Sequence, residues 1–122
     1  MPVQPTLFNT TNLERFLAFH AANLHVYVEL RRRALAMRLV RETYSIRTIG
    51  ESVRHDFDVR TQREDEFRMN NNHFPFYAVL LMAREPILRG FFARRGGGDG
   101  IDEAELLREV ERAEDHAMET CR

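Results

Sequence analysis

Residues 70–86 limit most strongly how this chain can fold. Three asparagines and a histidine, Asn70–His73, lead directly into the apolar run FPFYAVLLMAR, and Pro86 stops it. Pro75 falls in the first turn, where its missing N–H leaves no helical bond unmade. Pro86 disfavours helical backbone at Glu85. The spacing predicts a helix capped by Asn71 or Asn72, with Phe76, Tyr77, Leu80, Leu81 and Ala83 as its apolar residues. Beyond it, Pro86–Gly90 reads as one tight turn closed by glycine, and Phe91-Phe92-Ala93 as a short strand.

Upstream, Thr11 and Glu14 have the spacing of a capping box. Leu13, Phe16, Leu17, Ala21 and Leu24 then recur at helical intervals. Asn23 breaks this helix or caps a second one, whose buried side is Val26, Tyr27, Leu30, Ala34 and Met37. Arg31, Arg32 and Arg33 follow one another there and spread over about 200° of the helix, so they form no single stripe. Ser45 is placed to cap a third helix carrying Ile46, Ile49, Val53 and Phe57. From Phe57 to Met69 the period changes to alternation, which predicts a short hairpin turning at Arg63–Glu66. The glycines of 96–100 form a linker, and Asp102 and Glu105 open a last helix. Its thin apolar stripe, Leu106, Val110, Ala113 and Ala117, predicts loose docking over the basic body, the competing reading being that it completes the core or a dimer interface.

At 122 residues the chain is expected to be one domain over 1–95, followed by the linker and an acidic helix over 101–122. All 18 basic residues are arginine. The lack of lysine excludes Schiff-base chemistry and lysine-dependent phosphate binding. The lone cysteine, Cys121, excludes an internal disulfide framework and cysteine-rich zinc sites. No apolar run approaches the roughly 20 residues of a membrane span. The first residues lack the basic and apolar regions of a secretory signal. A cytoplasmic protein without membrane contact is expected.

The net charge of −1 hides an asymmetry. Residues 99–122 hold nine acidic groups and three arginines, a balance of −6; residues 1–98 hold ten and fifteen, a balance of +5. A basic body with an acidic tail suits nucleic-acid contact masked by the tail. The candidate nucleic-acid-binding residues are Arg47 and Arg54, seven apart on the third helix, with Arg68, Asn70, Asn71, Asn72, His73, Tyr77, Arg84, Arg94 and Arg95. Arginine meets phosphate, and asparagine can read base edges or simply cap. His20 and His25, five apart, do not share a helix face as metal ligands would. Asp56, Asp58, Glu64, Asp65 and Glu66 leave open a metal-dependent nuclease-like enzyme, but no histidine stands at the required distance after His73. No catalytic residue, metal ligand or cofactor is expected.

In order and spacing, four groups resemble small uncharacterised proteins of phages and prophages. The first is Asn23, His25 and Tyr27, and the second is Tyr44, Arg47, Ile49, Glu51 and Arg54. Phe67, Asn70–His73, Pro75, Tyr77 and Ala78 make the third, and Pro86, Gly90, Phe91, Phe92 and Arg94 the fourth. The resemblance covers about residues 12 to 95. Val79 departs from it, because an Arg commonly follows the Tyr-Ala pair. The resemblance implies a winged-helix-like, DNA-binding unit acting in a host cytoplasm, with transcription regulation by a helix-turn-helix as its natural use. The fold expected is therefore mainly α (α+β): N-terminal helices, a winged-helix-like unit over about 44–95 with a short β-hairpin, and an appended C-terminal helix. The 17 or so residues between Phe57 and Pro75 already strain a tight helix-turn-helix. DNA is the first expected partner. A host protein bound and blocked by the chain is the alternative, and a second copy of the chain a further partner.

Overall fold

Thr11 opens the first helix, α1 (Asn12–Ala22), with the reciprocal pair that its spacing predicts. Its Oγ1 accepts from the Glu14 backbone N–H at 3.0 Å, and its own N–H donates to the Glu14 carboxylate at 2.9 Å. Asn23, at φ −139° and ψ 54°, ends α1 and begins α2 (Leu24–Arg38). Its side chain does not cap α2 but donates backwards to the Phe19 carbonyl at 2.9 Å. Ser45 accepts from the Thr48 N–H at 3.3 Å at the start of α3 (Ile46–Arg60). A 3-10 turn at Asn71–His73 leads into α4 (Phe74–Arg84), a second at Pro86–Leu88 follows it, and α5 (Glu103–Thr120) closes the chain. The computed structural model describes residues 11–60, 69, 71–92 and 101–120.

The expected winged-helix-like α+β unit is overturned. The described residues form helices and turns with no β-strand, and their one β feature is an isolated parallel bridge between Tyr44 and Phe92. Residues 57–60 continue α3, so Phe57 and Val59 belong to a helix and not to a hairpin arm. Extending a helix adds one bond per residue without a new nucleus, and that outweighs a brief alternation. The expected turn at Arg63–Glu66 lies outside the described residues. Phe91 and Phe92, read as a strand, are buried anchors beside the second 3-10 turn.

Helix α4 is the centre. Phe74 and every residue from Phe76 to Leu81 are buried, so the helix is apolar around its whole circumference and must be enclosed. It packs against α3, α5 and both 3-10 turns. Helix α3 approaches closely because position 50 is glycine: a Cβ there would lie 2.3 Å from Phe74 Cε1. The C-terminal helix is not loosely appended either. Leu106, Val110 and Ala117 are buried, and α5 packs along α1 and α4. A thin stripe suffices here because Leu106 and Val110 are enclosed by the aromatic core. No helix among the described residues is long and apolar enough to cross a membrane.

Candidate interaction surface

Among the described residues, the arginines and asparagines singled out in the sequence are not gathered on one surface. Arg68, Asn70, Arg94 and Arg95 lie outside the described residues. Arg47 is exposed, on α3, and its Nε donates to Glu51 at 3.0 Å. Arg54 is turned inward. Its Nη1 donates to the Met69 carbonyl at 2.8 Å and to Asn71 Oδ1 at 3.0 Å, while its guanidinium lies over the Phe74 ring. Arg54 thus ties α3 to the chain entering α4. Asn71 and Asn72 are exposed in the 3-10 turn, but neither is the capping residue of α4. That place falls to His73, which makes no side-chain capping bond.

Of the other residues singled out in the sequence, His73 and Tyr77 are buried, and Arg84, half-buried, is committed to a carboxylate. His73 is buried and stacks on Phe19 at 4.8 Å. Burial pushes its imidazole down to about 4. Tyr77 is fully buried and its hydroxyl lies 3.0 Å from His20 Nδ1. Arg84 donates with both terminal nitrogens to Glu114, at 3.1 and 2.9 Å, and lies over the Tyr27 ring.

These contacts belong to one buried polar cluster that joins α1, α4 and α5. His20, wholly inaccessible, places Nε2 2.7 Å from Glu114 Oε2. Burial lowers the His20 pKa, outweighing the opposing pull of Glu114. Burial also works against an ionised Glu114, but the hydrogen bonds from Arg84 and His20 win and hold the carboxyl below its usual range. Burial, then Glu114, pushes the Tyr77 hydroxyl up. These directions define the proton positions: a neutral His20 donates from Nε2 to the carboxylate and accepts at Nδ1 from the Tyr77 hydroxyl. The Tyr27 hydroxyl is buried beside the Arg84 guanidinium, outside strict hydrogen-bond geometry. Burial raises its pKa while the Arg84 guanidinium above the ring opposes that shift. Its groups bonded to one another across three helices, the cluster ties α5 to α1 and α4.

Ion pairs absorb most of the described basic charge. Arg31 pairs with Glu85 at 2.6 Å, Arg32 with Glu29, and Arg33 with both Glu29 and Asp56. Asp56, a carboxylate considered for nuclease chemistry, is therefore engaged by an arginine.

Among the described residues, one corner sets arginines without such a partner beside exposed aliphatic side chains. After α2, Leu39 and Val40 are 81% and 75% exposed, and Ile87 in the second 3-10 turn is 54% exposed. The two turns are bound together: Arg38 Nε donates to the Ile87 carbonyl at 3.2 Å, and the Tyr44 N–H donates to the Phe91 carbonyl at 3.0 Å. Leu88, Phe91 and Phe92 are buried, which leaves Ile87 and Arg89 outside. Arg38, Arg41 and Arg89 have no carboxylate partner among the described residues; Arg41 lies over the Tyr44 ring. Glu42 is the only acidic residue in the turn from Leu39 to Tyr44. Sequence reasoning missed this corner, although Leu39 and Val40 lie beyond Met37, the last residue of the apolar stripe, and sit between two arginines.

No family model matches the chain, and neither a curated protein nor a solved structure resembles it.

Proposed function

We propose that this chain is a non-catalytic binding protein, acting in the cytoplasm, that meets a macromolecular partner through the corner formed by Arg38–Tyr44 and Pro86–Gly90. One observation carries the reading: Leu39 and Val40, the two most exposed large apolar side chains among the described residues, adjoin arginines that lack a carboxylate partner among those residues. Scattered apolar side chains are ordinary on a protein surface, but adjoining ones with uncompensated charge characterise a contact site. The face around Arg47 offers less, because its charge is already shared with Glu51 and Arg54 is committed to Met69 and Asn71.

The test compares two corner variants, Leu39→Ser/Val40→Ser and Arg41→Glu/Arg89→Glu, with the face variant Arg47→Glu. Each is first checked for unchanged helicity and melting. Duplex DNA, single-stranded DNA, anionic vesicles and a displayed random-peptide library serve as probes. The expected result is a probe that the native chain and Arg47→Glu retain and that the corner variants lose. Retention by the corner variants with loss in Arg47→Glu would place the contact on α3. No probe held above the corner variants' background would also overturn the reading.

A further inference from the structure

Resting on the corner as the contact surface, we infer that its partner is an acidic polypeptide segment carrying aliphatic side chains. The chain's own chemistry supplies the argument. Elsewhere in the fold, arginines on α2 and α4 are met by carboxylates at hydrogen-bonding distance: Arg31 by Glu85, Arg33 by Glu29, and Arg84 by Glu114 in a two-pronged pair. A guanidinium fork matches a carboxylate in shape as well as charge. At the corner the guanidinium half of that pattern is present, and among the described residues no carboxylate meets Arg41 or Arg89.

Leu39, Val40 and Ile87 then separate the classes of anion. Their branched side chains have no ring to stack on a base and no donor or acceptor to read a base edge. Exposure of this extent, at 81%, 75% and 54%, is relieved only by other apolar surface. An anionic bilayer would also offer such surface. However, the attraction there grows with the number of basic groups, and three arginines offset by Glu42 give a net of only +2 for the corner. A polypeptide can place carboxylates opposite Arg41 and Arg89 and aliphatic groups opposite Leu39, Val40 and Ile87, without an extended anionic plane. Arg38 is held by the Ile87 and Arg41 carbonyls, so it keeps the two turns in register while the other two arginines reach outward.

The deciding experiment is a fluorescence-anisotropy titration of the full chain with three labelled peptides of equal length. One alternates Glu and Leu, one has Ser for every Leu, and one has Gln for every Glu. Duplex DNA and phosphatidylcholine vesicles with and without phosphatidylserine are run beside them. The Glu/Leu peptide should bind at least about tenfold more tightly than the Ser peptide, as the burial of one or two aliphatic side chains requires. It should also outbind the Gln peptide, whose amides lose the charge pairing with Arg41 and Arg89. Leu39→Ser/Val40→Ser should erase its margin over the Ser peptide. Arg41→Glu/Arg89→Glu should erase its margin over the Gln peptide, together with its salt dependence. Equal binding of all three peptides, or corner-dependent binding of DNA or anionic vesicles in their place, overturns the partner class while leaving the corner as the contact surface. Binding indifferent to both corner variants overturns the underlying reading as well.

Discussion

Replacing Glu114 by Gln tests whether the buried cluster holds the fold together. The substitution keeps the side chain's shape and removes its charge. In the folded chain that carboxylate accepts two hydrogen bonds from Arg84 and one from His20. Glu114 and Arg84 are 22% and 24% exposed, while His20 is wholly enclosed. A hydrogen bond to a charged group contributes about 1.5–3 kcal/mol, and breaking a fully buried pair costs about 3–5 kcal/mol. Partial solvent access to the pair reduces this, so the loss should be about 2–4 kcal/mol. An unfolding entropy of about 2.1 cal/mol/K per residue gives a 122-residue chain about 0.26 kcal/mol/K, so Tm should fall by about 8–15 °C. Urea unfolding followed by circular dichroism measures the loss directly, and Arg84→Met with the double variant isolates the pair. A loss under about 0.5 kcal/mol, the level of a solvated surface pair, would refute the reasoning.

Gly50→Ala should destabilise by up to about 2 kcal/mol, because overpacking at Phe74 costs about 1–3 kcal/mol against the roughly 1 kcal/mol that alanine gains in a helix. Adding Phe74→Leu should recover part of the loss, which denaturation of the double variant would show. Stability should also fall as the pH drops from 6.5 toward 4. His73 is held neutral down to about 4 and His20 is shifted the same way, so below 6.5 the unfolded chain binds more protons than the folded one. His73→Phe should flatten that part of the urea-midpoint profile. Glu114, whose carboxyl is held low, adds a loss below its ordinary 4.5. Deleting residues 101–122 should abolish cooperative unfolding, as it uncovers the core that Leu106 and Val110 close; a sharp melting transition in the truncated chain would contradict this packing.

The sequence by itself determined where several helices begin and end. Thr11 with Glu14, Ser45 with Thr48, Asp102 with Glu105, and Pro86 all act on backbone groups within a few residues, and the structure has each boundary where that chemistry puts it. Local signals misled where they competed. The alternation after Phe57 yields to propagation of α3, and Asn71 bonds to Arg54 across the fold, leaving α4 without its cap.

The surface was far less legible. A body of +5 suggested one basic face, but the sum does not say which arginines are already paired. Arg33 meets Asp56 23 positions away, Arg84 meets Glu114 after 30, and Arg31 meets Glu85 after 54. His20 finds Glu114 across 94 positions, so a histidine that looked idle in the sequence bonds α1 to the last helix. Tertiary structure alone decided that Tyr77 and His73 face inward and that Leu39, Val40 and Ile87 face outward beside arginines that no carboxylate meets among the described residues. Caps and helix breaks depend on bonds within one turn of chain, which the residue order specifies directly. Burial and charge pairing depend on which distant segments share a space, and only the packed helices settle that.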